Sequence, residues 1–173
     1  DIDTDLRGEL LEGLVLCTAA GEAEIAAELE RDSTAKGQQA AARLRAALPS
    51  DEAKRAAFDA IANAETSGPS ALSNEIQRSM TMGFQHVNDP AVLAGIVGPY
   101  FASLERVWTS RSHQLAELFV IGLYPSPLAS SLLADATRAW LDANPGIPAL
   151  RRLVTENLAG IDRALLAQAR DRA

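Results

Sequence analysis

Three shortages in the sequence exclude whole classes of protein. It contains a single cysteine, Cys17, so an internal disulfide and a cysteine-based zinc site are both excluded. It has no apolar run near the roughly 20 residues that cross a bilayer, and no signal peptide is visible. We therefore expect no membrane partner and a cytoplasmic location. Because Cys17 follows Leu14, Val15 and Leu16, we interpret it as a small core residue rather than a reactive thiol.

Aromatic residues are also scarce, and negative charge outweighs positive charge. Aromatics make up 5% of the chain although 47% of it is apolar, because alanine dominates the apolar set. Alanine has the highest helix propensity and β-branched residues are sparse, so the composition predicts an all-α fold. The 23 acidic residues exceed the 16 basic ones and give a net charge of −7. Since a negative protein repels phosphate backbones, nucleic acid is not an expected partner.

Apolar residues recur at three- and four-residue steps along most of the chain, which is the periodicity of amphipathic helices. Gly21 and Pro49 each stop one of these patterns, as glycine and proline do at helix ends. Pro99 falls inside another pattern and predicts a kink near Gly95–Pro99. The predicted helices cover residues 5–20, 22–31, 36–48, 51–64, 72–87, 90–108, 113–123, 126–143 and 148 onward.

Two of these helices are predicted with defined buried faces. The first helix places one apolar stripe inward, and the helix over 72–87 is expected to be the element around which the domain packs. The first stripe consists of Leu6, Leu10, Leu14 and Cys17. The second buried side consists of Leu72, Ile76, Met80, Gly83, Phe84 and Val87, and the opposite polar side of Glu75, Gln77, Arg78 and Thr81. Ser73 or Asn74 is expected to cap this helix.

A weak internal repeat points to the architecture. A shift of about 30 residues places Leu14 on Leu44 and Ala23 on Ala53, and antiparallel helix pairs at such a period are typical of helical repeat stacks. A chain of 173 residues fits one domain. We therefore predict antiparallel helix pairs stacked in a HEAT/armadillo-like α-superhelix. The prediction is a single domain over residues 1–173 with a candidate seam at 65–70.

The sequence carries no motif for catalysis or metal binding. Neither of its two histidines, His86 and His113, is followed by a second histidine one helical turn later, so neither begins a zinc-binding HExxH motif. Each is expected to lie at a helix end or in solvent. No GxSxG elbow or glycine-rich phosphate loop is present, so we predict no catalytic residue, metal ligand or cofactor in this chain. The Arg151–Arg152 pair could clamp a carboxylate, although we interpret it as a solvated surface pair.

Six segments form an ordered set that covers nearly the whole chain. They are Gly21–Asp32, Leu72–Asn74, Gly83–Gln85, Tyr100–Ala102, Gly122–Pro125 and Pro148–Val154. This set resembles the C-terminal helical domain of M1-family zinc aminopeptidases of the actinobacterial aminopeptidase N type. Gly95–Ile96 and Gly98–Pro99 depart from the family pattern, which concerns local helix geometry. The start at Asp1, without methionine, is expected of a fragment of a larger enzyme or a processed product, and trimming or tag removal would look the same.

The resemblance implies a role in an intact enzyme rather than chemistry in this chain. M1 aminopeptidases hold one zinc ion on an HExxH motif and a downstream glutamate, and those residues are missing here. The resemblance implies that the domain covers the catalytic domain of the same polypeptide, shapes the peptide chamber and is not catalytic alone. Zinc and the peptide substrate then belong to the parent enzyme. The candidate peptide-chamber contacts are Asn74, Arg78, Gln85 and Arg111.

Two other functions remain open from the residues. One is a free-standing α-helical repeat adaptor that binds a peptide or a protein partner. The other is a structural scaffold for the catalytic domain that never touches substrate. A long exposed apolar groove would favour the adaptor, whereas an HExxH motif upstream of Asp1 would establish the enzyme family.

Overall fold

A computed structural model describes residues 3–65, 68 and 71–172 of the chain. Within these residues the regular structure is helical and contains no strand, so the all-α prediction is confirmed. Short 3-10 helices cover Pro90–Ile96 and Ser126–Leu128. The α-helices are α1 Thr4–Leu16, α2 Glu22–Arg31, α3 Ala35–Ala47, α4 Asp51–Ala62, α5 Asn74–Gln85, α6 Val97–Ser110, α7 His113–Gly122, α8 Ser131–Ala143 and α9 Pro148–Asp171.

Local sequence signals fix most helix starts. The side chains of Thr34, Ser50, Ser73, Ser112 and Ser130 each accept a hydrogen bond from a backbone N–H in the first turn of the helix that follows. Ser73, one of the two residues expected to cap the helix over 72–87, is the cap, and Asn74 is the first helical residue. Pro148 occupies the first position of α9, where its missing N–H costs no hydrogen bond.

A change of helix type falls within Gly95–Pro99, where the kink was expected. The chain runs as a 3-10 helix over Pro90–Ile96 and then changes to the α-helix α6 at Val97. Pro99 therefore lies in the first turn of α6, where a backbone N–H has no partner inside the helix.

The described chain divides into two compact units. Unit 1 is Asp1–Val92 and unit 2 is Leu93–Ala173. The candidate seam at 65–70 lies largely outside the described residues. The stacking of the helix pairs into one superhelix, and a single domain over 1–173, stay predictions.

Unit 1 is packed around α3. The core brings Leu11 and Val15 of α1 and Ile25 of α2 against α3, which contributes Ala41, Leu44 and Ala47. Helix α5 crosses the other side of α3 so closely that a Cβ built on Gly83 would overlap the backbone carbonyl of Arg43. Glycine is needed at this crossing because any side chain would push the two backbones apart.

The predicted buried face of α1 is wrong. Leu6, Leu10 and Leu14 are 48%, 53% and 49% exposed, and Cys17 is exposed as well. The residues that α1 buries are Leu11 and Val15. Leucines cover more than half of the circumference of α1, so periodicity alone could not decide which side is buried. The packing on α2 and α3 uses the side of Leu11 and Val15.

The polar side predicted for α5 is also partly wrong. Gln77 and Thr81 are only 3% and 4% exposed. Gln77 donates through Nε2 to the carbonyl of Leu72 at 3.0 Å, and the hydroxyl of Thr81 donates to the carbonyl of Gln77 at 2.8 Å. Gly83 sets the rotation of α5 against α3, and backbone carbonyls of α5 and of the residues just before it satisfy the polar groups that this rotation buries.

Unit 2 is built around a small group of buried aromatic rings. The ring of Tyr100 stacks on Phe119 with centroids 5.9 Å apart and meets Tyr124 edge-on at 5.5 Å. The hydroxyl of Tyr100 donates to the carbonyl of Val120 at 2.6 Å, and that of Tyr124 lies 2.8 Å from the hydroxyl of Thr137. Both phenols are therefore buried and hydrogen-bonded, which stabilises the core of unit 2.

These two tyrosines predict how the protein responds to alkali. They are the only tyrosines in the chain, and burial raises the pKa of Tyr100 and of Tyr124 above the ordinary 10.0. A folded pKa above the unfolded one adds stability that is complete below pH 10 and is lost as the pH rises further. We expect the ultraviolet absorbance of tyrosinate to appear in the same steep step as the loss of helical circular dichroism.

Single substitutions provide the control for that titration. Tyr100→Phe and Tyr124→Phe should each remove half of the tyrosinate absorbance. The remaining tyrosine should still ionise together with unfolding. Gradual ionisation of both tyrosines around pH 10 with the helical signal intact would contradict their burial.

Candidate functional site

Three of the four candidate contacts lie together on α5. Asn74, Arg78 and Gln85 are spaced at four and seven residues, which places them within one quadrant of the helix. Asn74 and Arg78 are exposed, Gln85 is half-buried, and Met82 is the apolar member of the same surface at 49% exposure. We call these four residues the α5 face.

Arg111, the fourth candidate, belongs to unit 2. It is the C-cap of α6 and is half-buried. Burial lowers the pKa of Arg111, and the nearby charge of Arg106 lowers it further. The structure thus groups three of the candidates on one helix of unit 1 and places the fourth at a helix end of unit 2.

A cleft of about 370 Å³ borders the α5 face at Met82. Its walls come from α1, α3 and α5 of unit 1, and its lining carries charges of both signs. The charged residues are Glu9, Glu12, Asp32, Lys36 and Arg43. The hydroxyl of Thr34 donates to Asp32 at 2.6 Å and lowers the pKa of that carboxyl. The lining combines these charged groups with apolar surface from Ala40, Leu44 and Met82, so the cleft offers both hydrogen-bonding groups and apolar contacts.

Glu12 organises one wall of this cleft. Its Oε1 accepts from Arg43 Nη2 at 2.9 Å and lies 2.6 Å from His86 Nδ1. Arg43 Nε is buried without a hydrogen-bond partner. His86 is the C-cap of α5 and its side chain is half-exposed, which agrees with the helix-end position expected from the sequence. Glu12 therefore joins the end of α5 to α1 and α3.

The C-terminal end of α5 is held by Lys54, which sequence reasoning missed. Lys54 is fully buried, and its Nζ lies within hydrogen-bond distance of four backbone carbonyls. The distances are 2.7 Å to Ala46, 3.2 Å to Gly83, 3.2 Å to Phe84 and 3.0 Å to His86. A signal was present, because residue 54 lies on the same side of α4 as Ala57, Phe58 and Ile61.

A positive charge at this point complements two helix ends. The carbonyl of Ala46 lies at the C-terminus of α3, and those of Gly83 and Phe84 lie at the C-terminus of α5. These ends carry partial negative charge and unpaired carbonyl groups. Lys54 therefore fixes where α5 ends and how it presents the α5 face.

The other basic and histidine residues singled out in the sequence have structural roles. Arg151 donates to the carbonyls of Leu141 and, at 2.7 Å, of Asn144, so it caps the end of α8. The interpretation of Arg151 as a solvated residue is therefore wrong, and its guanidinium is not directed at a carboxylate. Arg152 is the exposed member of the pair and binds Glu156 at 3.0 Å. His113 is exposed at the start of α7 beside Glu117.

The described part of the chain offers no metal centre and no membrane span. Among those residues no group of three or more histidine, cysteine, aspartate or glutamate side chains could hold a metal ion. The helices there are too short or too polar to cross a membrane. Fold and site together define an all-α domain whose polar helix face and cleft are suited to contacts with a partner or ligand.

Comparison with known proteins identifies the family of this domain. The chain belongs to the family of ERAP1-like C-terminal domains, whose model matches residues 1–163. Over 172 residues it is 41% identical to aminopeptidase N of Streptomyces lividans, a match that covers 99% of this chain and 20% of that protein. The chain spans about a fifth of the length of this relative. The resemblance deduced from the six sequence segments is confirmed.

Proposed function

We propose that this chain works as the C-terminal α-helical domain of a zinc-dependent aminopeptidase N. In this role it packs over the catalytic domain of the same polypeptide and shapes the chamber that receives peptides. The observation that carries the proposal is 41% identity to an aminopeptidase N across 99% of the chain. The zinc ion and the bond-breaking residues belong to the catalytic domain. A cytoplasmic location stays a prediction.

The α5 face supplies the chemistry for peptide contacts. The guanidinium of Arg78 can donate to peptide carbonyls or to a carboxylate, and the amides of Asn74 and Gln85 can both donate and accept. Backbone groups of an extended peptide offer the same pattern of donors and acceptors, so this surface can bind peptides without selecting their side chains. Arg111 is a further candidate contact. Such contacts would change how the rate of cleavage depends on peptide length, and they would take no part in breaking the scissile bond.

The family match does not favour the free-standing adaptor. A scaffold without substrate contact differs from a chamber wall in one measurable respect. The scaffold affects every substrate equally through stability, whereas the chamber wall affects long peptides more than short ones. Length preference is therefore the quantity to measure.

The test is made in the intact enzyme with Asn74→Ala and Arg78→Ala. We expect kcat/KM for long peptides to fall about fivefold to tenfold, since each contact is a hydrogen bond worth roughly 1 kcal/mol at a solvated surface. Cleavage of dipeptides should be unchanged, because a dipeptide does not extend to the chamber wall. The matched control is Arg55→Ala, which removes an exposed arginine on α4 that pairs with Asp59.

If both variants cleave peptides of every length as fast as the unsubstituted enzyme does, Asn74 and Arg78 do not contact peptides in the chamber. A uniform loss for dipeptides and long peptides alike would favour the scaffold. The thermal unfolding midpoint, measured alongside, separates a uniform loss of folded enzyme from a change in substrate binding.

A further inference from the structure

Helix α1 exposes a continuous apolar surface. Leu6, Leu10 and Leu14 follow one another at four-residue steps and are each about half exposed, and Cys17 continues the same side of the helix. We call these four residues the α1 stripe. Single exposed leucines are ordinary on protein surfaces, whereas three consecutive turns of exposed leucine on one helix are not.

The rotation of α1 is fixed, so the helix cannot bury this stripe by turning. Arg7 binds Glu28 of α2 at 2.9 Å, and Glu12 binds Arg43 of α3 at 2.9 Å. The carbonyl of Leu16 accepts from the side chain of Asn88 at 2.8 Å. Leu11 and Val15 fill the core of unit 1 between these contacts. The stripe therefore faces outward because the rest of α1 is already engaged.

One edge of the stripe has the form of a helix-packing site. Gly13 lies beside Leu6 and Leu10 at that edge, and a Cβ built on it would meet nothing within 4 Å. Elsewhere in unit 1, Gly83 shows the purpose of a glycine inside a helix, since it allows α5 to lie directly on the backbone of α3. A row of leucines with a glycine at its edge presents a ridge and an adjoining groove to a crossing helix.

We infer that the α1 stripe is covered by an amphipathic helix of the same polypeptide that lies outside these 173 residues. The relative has enough further chain to provide such a helix, because the match covers 20% of its length and the other 80% lies beyond it. In helical repeat stacks each helix pair buries its open face against the next pair. The exposed carboxylates of Asp3 and Glu9 border the stripe. The covering helix therefore carries leucine-type side chains inward and basic residues at its edge. This inference rests on the family membership and does not depend on the proposed peptide contacts.

Cys17 reports on this surface in the complete polypeptide. A thiol reagent is applied to the native protein and to the protein in urea, and modification of the peptide that contains Cys17 is followed by mass spectrometry. We expect native Cys17 to react at least about tenfold more slowly, as a residue next to a packed interface does. Reaction at the same rate in both states would show that the stripe is open to solvent and overturn the inference.

A substitution tests the same interface by stability. Leu10→Lys in the complete polypeptide should lower the unfolding midpoint of this domain by about 5 °C or more, since it buries a charge at a helix contact. The matched control is Leu132→Lys on α8, where an isolated leucine is 67% exposed. Equal midpoints for both variants would overturn the inference. Protection of Cys17 that disappears on dilution, as a dimer dissociates in light scattering, would assign the stripe to a second copy and also overturn it.

Discussion

Replacing Lys54 by methionine should lower the free energy of unfolding by about 2–4 kcal/mol, measured in urea. The methionine fills a similar volume but donates no hydrogen bond. The carbonyls of Ala46, Gly83, Phe84 and His86 all lose the donor they share. Buried carbonyls at helix ends have no partner inside their own helix, so no nearby backbone N–H replaces the lost donor.

The adjacent residue provides the control for this experiment. Arg55 carries the same charge on the same helix, but it is exposed and its partner Asp59 is a surface carboxylate at 3.1 Å. Arg55→Met should change the free energy of unfolding by less than about 0.5 kcal/mol. If Lys54→Met were no more destabilising than Arg55→Met, the four carbonyls would not depend on Lys54.

The pH dependence of this effect has a defined sign. Burial lowers the pKa of Lys54 to about 8 from its ordinary 10.5. Because the folded pKa lies below the unfolded one, the unfolded chain binds more protons between these values. Stability from this group therefore rises with pH from about 8 to about 10.5. The stability difference between the native protein and Lys54→Met should be larger at pH 9 than at pH 7.

The second large effect is expected for Gly83→Ala, which should destabilise unit 1 by about 2–4 kcal/mol. The added methyl group would overlap the carbonyl of Arg43, and it would also press against Ala46. Neither atom can rotate away, because one is backbone and the other is a short side chain of α3. Helix α5 must therefore shift as a whole, which also moves the carbonyls that Lys54 binds.

The same substitution at a glycine with free space isolates the packing effect. Gly8→Ala on α1 has nothing within 4 Å of the new methyl group. It should leave the free energy of unfolding unchanged or raise it by about 0.5–1 kcal/mol, since alanine is the better helix former. A Gly83→Ala protein as stable as Gly8→Ala would contradict the close crossing of α3 and α5.

These two positions also bear on the proposed function. The position of the α5 face depends on where α5 ends and on how the helix is rotated. Lys54 fixes the end of α5, and the contact of Gly83 with α3 fixes its rotation. Because they share the carbonyl of Gly83, the effects of the two substitutions should not be additive in a double variant. A double-mutant cycle would therefore measure the coupling between the α3 crossing and the end of α5.

Local signals in the sequence were sufficient for the helices themselves. The cap at Ser73 and the stop at Pro49 predicted where elements begin and end, because each acts through hydrogen bonds or backbone angles within a few residues. The end of the first helix was predicted too late, since α1 ends at Leu16 and Gly21 is the N-cap of α2. The helical position of Asn74, Arg78 and Gln85 followed from spacing alone. The ordered segments that carried the family resemblance were likewise readable without a structure.

Which side of a helix is buried was decided only by the tertiary structure. The sequence assigned Leu10 and Cys17 to the core and Gln77 to solvent. In the structure Leu10 and Cys17 are exposed and Gln77 is buried. Apolar periodicity defines a broad sector of a helix, whereas one glycine contact or one ion pair defines its rotation within that sector. Those contacts join residues far apart in the chain, as Gly83 meets Arg43 and Lys54 meets His86. The helices were therefore determined by the sequence read locally, and their rotations by long-range packing.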